Sequence, residues 1–371
     1  MALGYCPSLL VHLKSLQACN YSGTKITTSG FLKHLLEQRA STPNHQLTIN
    51  GEDGSGHYRD VTVKYRPRVT PSQISDSLDC DIDKIPVYTE QSITRTTDRK
   101  FAFTITDETI ARYCAEASQT VMVGRPATPF MQEHLSYFMQ MLNGFIGSID
   151  TALLTTMATN FGTNVVTGSN AAQTVNIDQD GDINDLTTGL TKILSDAAAN
   201  EMCGTLGIVG SGLMNNYMIQ RVAQGLASNG VDPSRLTGFN WYHDLYASSA
   251  WGTNQVGVFE QNAVHFVDLN RYVGFRAGTK GTSTFFNLPV PVECAGCNGD
   301  YSMLGLDVQL KYRDCPETVN VSGYESGITV DRGWDIIVSK SFGLFVPNEN
   351  YEATDRLNGS NGTLRYTITN S

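Results

Sequence analysis

Residues 130–159 read FMQEHLSYFMQMLNGFIGSIDTALLTTMAT, and the spacing of their apolar side chains decides the fold. Leu135, Phe138, Met139, Leu142, Phe145, Ile146, Ile149, Leu153 and Met157 recur at three- and four-residue intervals. Residues so spaced share one face of a helix. Over about thirty residues such a helix exceeds ~40 Å, at ~1.5 Å per residue. Gly144 and Gly147 weaken it and admit close backbone approach. Gly124, Pro126 and Pro129 separate it from an earlier helical stretch, ITDETIARYCAEA, with Thr106 or Asp107 as its cap. A coiled coil would need the spacing to continue into neighbouring segments, and it does not. The segment reads as a single strut lying along a sheet.

Upstream, residues 46–106 read as extended chain. HYRDVTVKYRPRV alternates Tyr58, Val61, Val63 and Tyr65 against Arg59, Thr62 and Lys64. A polar, acidic stretch follows, TPSQISDSLDCDID, and IPVYTEQSITRTTDRKFAFTIT then resumes strand character. The pattern predicts a protruding hairpin of two long strands. Its strand side carries Arg59, Lys64, Arg66 and Arg68, and its tip carries Asp76, Asp79, Asp81 and Asp83. A lone two-stranded hairpin is marginal in water, so burial against an adjacent subunit is expected. These eight charged residues are the expected subunit-interface set. The plainer alternative is a solvated hairpin whose charges do nothing specific.

Residues 1–45 form an arm. Within it FLKHLLEQRA places Phe31, Leu32, Leu35 and Leu36 on one helical face, and Pro43 and Asn44 close it. The arm has too little apolar surface to fold alone and needs a neighbour to lie on. Beyond residue 160, helices and strands alternate. Asp185 is the expected cap of LTTGLTKILSDAAANEM, with Leu186, Leu190, Ile193, Leu194 and Ala197 on one face. TLGIVG is a strand, and Ser211 begins a helix, LMNNYMIQRVAQGL. VGVFEQNAVHFVDLNRYVGFR mixes both signals, and DVQLKYRDC, GITVDRGWDIIVSKSFGLFV and TLRYTIT are strands. No internal repeat or low-complexity linker interrupts them.

Composition narrows the function. A chain of 371 residues has room for one or two compact domains, and 40% hydrophobic residues can fill a real core. Charged residues make up 17%, below the roughly 25% of ordinary globular proteins, which suits a surface largely hidden in permanent contacts. The net charge of -10 argues against tight nucleic-acid binding, which draws on a basic patch, but not against enclosing DNA. Eight scattered cysteines in so long a chain read as reduced thiols. MALGYCPSLLVHL lacks a basic segment before its apolar run and is a poor signal peptide. No window reaches 18 uninterrupted apolar residues, so no membrane-spanning helix is expected. The sequons at Asn20, Asn320, Asn358 and Asn361 read as chance in a chain rich in Asn, Ser and Thr.

Three motifs invite chemistry and each is incomplete. GIVGSGLMN lies between a strand and a helix with Gly207, Gly210 and Gly212, but Asn215 occupies the third fingerprint position and no phosphate-binding lysine follows. Cys294 and Cys297, with Cys315 downstream, supply three thiols where structural zinc needs four ligands; His265 or Cys203 would have to complete the set. Asp178, Asp180 and Asp182 begin like a calcium loop, but Ile183 replaces the turn glycine and Gly189 the bidentate glutamate. No GxSxG or HExxH occurs. No cofactor, metal or catalytic residue is therefore expected.

The order of these elements resembles the Hong Kong 97-type major capsid protein of tailed double-stranded-DNA bacteriophages. The resemblance implies an α+β fold: an N-arm at 1–45, an E-loop at 46–106, and a spine helix with the P-domain at 107–169. An A-domain follows at 170–320, and C-terminal strands at 321–371, including DRGWDIIVSKSFGLFVP, return to the P-domain. It implies a non-enzymatic shell subunit that assembles into hexamers and pentamers of an icosahedral shell, made in the host cytoplasm and enclosing DNA without reading its sequence. Without a long helical N-terminal extension, it implies a separate scaffold, together with portal and decoration proteins. The alternatives are a tail-tube or decoration subunit, which would not need the strut helix, and an α/β enzyme built on the Gly207–Gly212 turn.

Overall fold

The computed structural model describes residues 29–38, 45–52, 58–65, 89–94, 97–106, 111–112, 115, 129–177, 183–202, 204–219, 239–269, 278–280, 283–292, 303–319, 327–347 and 361–370. The chain divides into two compact units. One comprises residues 1–27, 98–146 and 269–341, and the other residues 28–97, 147–268 and 342–371. The architecture is α+β.

The strut helix forms as its spacing predicts. Helix α2 spans Pro129–Ala158, thirty residues, after the short α1 at Gly30–Glu37. Leu142, Phe145, Ile146, Ile149, Leu153 and Met157 are all buried. Its outer face near the C-terminal end is a run of hydroxyls, and Thr151, Thr155 and Thr156 each donate to the carbonyl four residues back. Residues 129–146 belong to the first unit and 147–158 to the second.

The first unit contains most of a six-stranded sheet. Its order is β10 (Gly278–Lys280), β11 (Ser283–Pro291), β12 (Met303–Val319), β13 (Gly327–Phe345) and β4 (Thr97–Thr106), with β9 (His265–Leu269) also pairing with β13. The β10–β11–β12–β13 run is antiparallel. Leu304, Leu306, Val308 and Leu310 alternate on the buried face of β12, as do Ile336 and Val338 on β13. Lys340 is buried on the same face of β13 as Ile336 and Val338, and its ammonium donates to the Gly305 carbonyl; Asp307 is buried on the other face of β12. Strands β12 and β13, 17 and 19 residues long, are far longer than the five or six residues of an average strand.

The second unit holds two sheets. The larger runs in the order β5 (Gln173–Asn176), β14 (Thr363–Thr369), β8 (Gln255–Phe259), β6 (Leu206–Gly210), β7 (Phe239–His243). The segment expected to return as a block at 321–371 therefore divides. Its strand at 327–345 joins the six-stranded sheet, whereas 363–369 inserts between β5 and β8. Leu364, Tyr366 and Ile368 cause this, because they complete the core beneath α3 (Ile183–Ala199) with Leu190, Ile193, Ile208 and Val258. The sheet is covered on both faces, which explains why β6 is buried along its whole length and reads as an unbroken apolar run. Leu206 and Ile208 face α3, while Gly207 points to the opposite face, towards α1. Helix α3 begins at Ile183, two residues before Asp185, so Asp185 lies inside the helix and does not cap it. Cys203, Cys294, Cys297, the acidic loop at 178–182 and all four sequon asparagines except Asn361 lie outside the described residues.

Asn361 is buried and donates to the carbonyls of Asn160 and Pro347. Its amide oxygen accepts from the amide and hydroxyl of Thr363. An amide so enclosed is not a glycan acceptor in the folded chain, in line with the chance reading of its sequon.

Candidate assembly surface and the seat of the arm helix

Within the expected charged strand, residues 58–65 form a strand, and a third strand joins the hairpin pair. Strand β2 (Tyr58–Tyr65) is the middle of a three-stranded antiparallel sheet, with β1 (His45–Glu52) on one side and β3 (Thr89–Thr94) on the other. A middle strand buries one face, and Val61, Val63 and Tyr65 are buried. The Tyr65 ring packs 5.8 Å from Phe345, and the Gln91 side chain donates to the Val346 carbonyl. The two strands of the expected hairpin thus pair as β2 and β3, with their root anchored in their own unit, and the tip at 66–88 lies outside the described residues. HQLTINGE supplies the third strand, which alternation within 57–69 cannot reveal.

Of the eight expected interface charges, Lys64 is the one whose side chain is described. It lies directly across from Glu90 in the β2–β3 register, and their charges meet at 2.6 Å. Arg59 lies in β2, where its backbone alone is described; Arg66, Arg68, Asp76, Asp79, Asp81 and Asp83 lie outside the described residues. The Lys64–Glu90 pair is substantially exposed, 39% and 57%, so it contributes at most about 1 kcal/mol. Lys64→Glu places like charges across the ladder and should lower the unfolding free energy by roughly 0.5–1 kcal/mol at low salt. Lys64→Glu/Glu90→Lys should restore it. Denaturant titrations at two salt concentrations measure both.

A second arrangement, absent from the sequence reading, seats the arm. The expected apolar residues of α1 are buried: Phe31, Leu32 and Leu35, with His34 beside them and Leu36 half-buried. The neighbour that the arm needs is its own unit. Phe31 packs edge-on to Trp251 at 5.8 Å and against Phe259 at 5.3 Å. Phe161 meets the same Trp251 ring at 5.3 Å, and the Trp251 indole donates to the Leu154 carbonyl of α2. Gly30 sits on the His243 carbonyl so tightly that a side chain there would collide with backbone.

The N-terminus of α1 carries orphan amides that need acceptors. Two aspartates provide them. Phe31 N donates to Asp244 Oδ2 at 2.8 Å, and Leu32 N donates to Asp150 Oδ1 at 2.9 Å. Asp244 Oδ1 also accepts from the amides of Tyr246 and Ala247. Both carboxyls are fully buried. Burial raises the Asp150 carboxyl well above the ordinary range, and the charge and hydrogen bond of Asp244 raise it further. Burial first, and the neighbouring Asp244 carboxyl second, thus favour the protonated form of Asp150. A proton on Asp150 avoids placing two anions in one dry site.

His34 completes the seat. Its ring stacks near Tyr242 at 4.9 Å and Phe259 at 5.4 Å, and lies where Gly207 has no side chain. Burial lowers its pKa to about 4, so it is neutral at pH 7. Glu37, at the other end of α1, accepts from the Tyr242 hydroxyl at 2.7 Å, and this contact with burial pushes the Tyr242 phenol upward. The sequence did hold one signal for this site. Asp150 falls four residues after Ile146 and beside Ile149, a carboxyl within an apolar stripe.

The glycine turn has a packing explanation. Gly207 makes room for His34, and Gly210 for Val256. Gly212 has φ +65, and the Asn254 carboxamide oxygen lies against it and accepts from Leu213 N at the start of the helix at 213–219. A side chain of the protein thus occupies the place where a phosphate would sit on that helix end. His265, a candidate zinc ligand, is buried and stacked on Phe345 at 6.0 Å. Among the described residues no group of three or more His, Cys, Asp or Glu is disposed to hold a metal, and no helix is long and apolar enough to cross a membrane.

No family model and no curated protein sequence matches this chain. Several solved structures are similar to it. The capsid structure of the cyanophage P-SCSP1u is 12% identical, with a TM-score of 0.40, over 96% of this chain and 94% of that one. A chain from Mycobacterium phage Adephagia is 11% identical, with a TM-score of 0.40, over 97% and 98%. The mature capsid of bacteriophage PhiM1 is 8% identical, with a TM-score of 0.39, over 84% and 83%.

Proposed function

We propose that the chain is a Hong Kong 97-type major capsid protein, a structural subunit that self-assembles into an icosahedral shell around a double-stranded-DNA genome. The observation that carries this reading is the length of β12 and β13. Strand β11 covers β12 as far as Lys311, but β12 and β13 pair for eight further positions, from Tyr312–Trp334 to Val319–Gly327. That stretch is about 27 Å long at ~3.4 Å per residue. Pro316 sits within it, as suits a strand with one open edge. Among the described residues β11 does not follow β12 along that stretch, and a ribbon with so little covering buries too little to be stable in water, so in this reading it lies on another subunit. The thirty-residue α2 supports the same reading, as the strut such a subunit needs.

In this reading residues 46–94 act as the E-loop and α2 as the spine; the β10–β13 sheet, whose strands at 278–319 were expected in the A-domain, serves as the P-domain with β4, the end of the expected E-loop, and the β5–β8 sheet with β14 is the A-domain. The eight charges from Arg59 to Asp83 contact a neighbouring subunit in hexamers and pentamers. Separate scaffold, portal and decoration proteins serve the same shell, which is assembled in the host cytoplasm. The acidic net charge keeps the wall from adhering to DNA. A role without catalysis fits the glycine turn, whose helix end Asn254 already fills.

The chain expressed alone and with its genomic neighbours should sediment as large assemblies, and electron microscopy should show closed shells. A compact monomer at high concentration under both conditions would overturn the reading.

A further inference from the structure

We propose that Asn361–Gly362 is a latent deamidation site, inert while β14 is seated, reactive with water once β14 is released, and unable to seat β14 properly after it has reacted. The fold demands this dipeptide for two separate reasons. The Asn361 carboxamide is buried and ties three segments together. Its nitrogen donates to the carbonyls of Asn160, after α2, and Pro347, after β13, at 3.0 and 3.3 Å. Its oxygen accepts from the hydroxyl and the amide of Thr363, the first residue of β14, at 2.7 and 3.2 Å. Gly362 has φ +75, and a side chain there would stand against Ala263 and the Glu260 carboxylate. Asparagine followed by glycine is the pair most prone to deamidate, because no side chain shields the glycine amide nitrogen.

In an open chain the Gly362 amide nitrogen, deprotonated by base, attacks Cγ of Asn361. The Cγ–Nδ2 bond breaks, ammonia leaves, and a five-membered succinimide remains. Water then opens the ring at either of its carbonyls. One product is aspartate, and the other is isoaspartate, whose main chain runs through the side-chain carbon. One water is taken up and one ammonia released, with no change of oxidation state. In the seated chain, loss of Nδ2 must break both of its hydrogen bonds. The two Thr363 donors polarise the carboxamide, so restraint and burial are what protect it. The Gly362 carbonyl is itself tied to the Glu260 amide at 2.8 Å.

Neither product fits the seat. A carboxylate at 361 sets a buried charge against the Asn160 and Pro347 carbonyls, which lose their donor. Isoaspartate also lengthens the main chain immediately before Thr363, which pairs with Phe259, and so displaces β14 from its register between β5 and β8.

Trypsin releases residues 357–365, LNGSNGTLR, which carry Asn361 and also Asn358–Gly359. Fragmentation in the mass spectrometer separates the two sites. The full chain is incubated in mildly alkaline buffer, native and in denaturant, beside the same peptide made synthetically. In denaturant Asn361 should react at the peptide's rate. In the native chain it should react at least about tenfold more slowly, because reaction waits for an opening event. Ile368→Val, which trims the buried core of β14 outside this peptide, should speed the native reaction roughly two- to tenfold. Asn361→Asp should lower the amide protection of β14 at least about tenfold, or leave the chain unfolded. Native deamidation at the peptide's rate, a native rate unmoved by Ile368→Val, or unaltered β14 protection in Asn361→Asp would each overturn the proposal.

Discussion

Phe31→Ala should lower the stability of the second unit by about 3–5 kcal/mol, the range for deleting a fully buried aromatic. The Phe31 ring is wholly buried and touches Trp251 and Phe259, so its removal leaves a void against two rigid aromatics. Those rings cannot collapse into the space, since Trp251 is tied to Leu154 and packed by Phe161. Domain stabilities are on the order of 5–15 kcal/mol, so this one change should consume a large share. Denaturant unfolding of the variant should show a lower midpoint, and exchange of 29–38 should approach that of free peptide. A loss under about 1 kcal/mol would mean that α1 is not seated in the solution structure.

Gly207→Ala should also be severe, and His34→Ala should partly rescue it. A methyl group at 207 would stand on the His34 ring, far inside contact distance. Neither partner can move away: Gly207 is in β6, paired on both sides by β7 and β8, and His34 is held by Tyr242 and Phe259. Overpacking of this kind costs roughly 1–3 kcal/mol, occasionally more. His34→Ala alone opens a cavity. In the double variant the new methyl occupies part of it, so the two effects should be non-additive by at least ~1 kcal/mol. Measuring the four members of the cycle by thermal or denaturant unfolding tests the contact. Additivity would place His34 away from β6.

Both predictions concern an element that the sequence showed only in outline. Local pattern alone determined α2, because an amphipathic helix of thirty residues repeats its signal over eight turns. The apolar face of α1, the strand β6 and the final strand TLRYTIT were equally legible, since each is a short stretch whose spacing matches one period. The incomplete glycine, cysteine and acidic motifs could be recognised as incomplete by position alone.

Tertiary structure decided everything that depends on pairing between distant residues. Alternation within 57–69 cannot say whether a strand is at an edge or in the middle, and β1 made β2 a middle strand. TLRYTIT could be read as a strand, but its place between β5 and β8 follows from the core that Leu364, Tyr366 and Ile368 complete under α3. The seat of α1 unites Phe31 and Leu32 with Asp150, 118 positions after Leu32, and Asp244, 213 positions after Phe31. No local window contains that encounter. Burial, which exists only once the chain is folded, is what raises the carboxyl of an aspartate in an apolar stripe above its ordinary range and turns a histidine into a neutral ring.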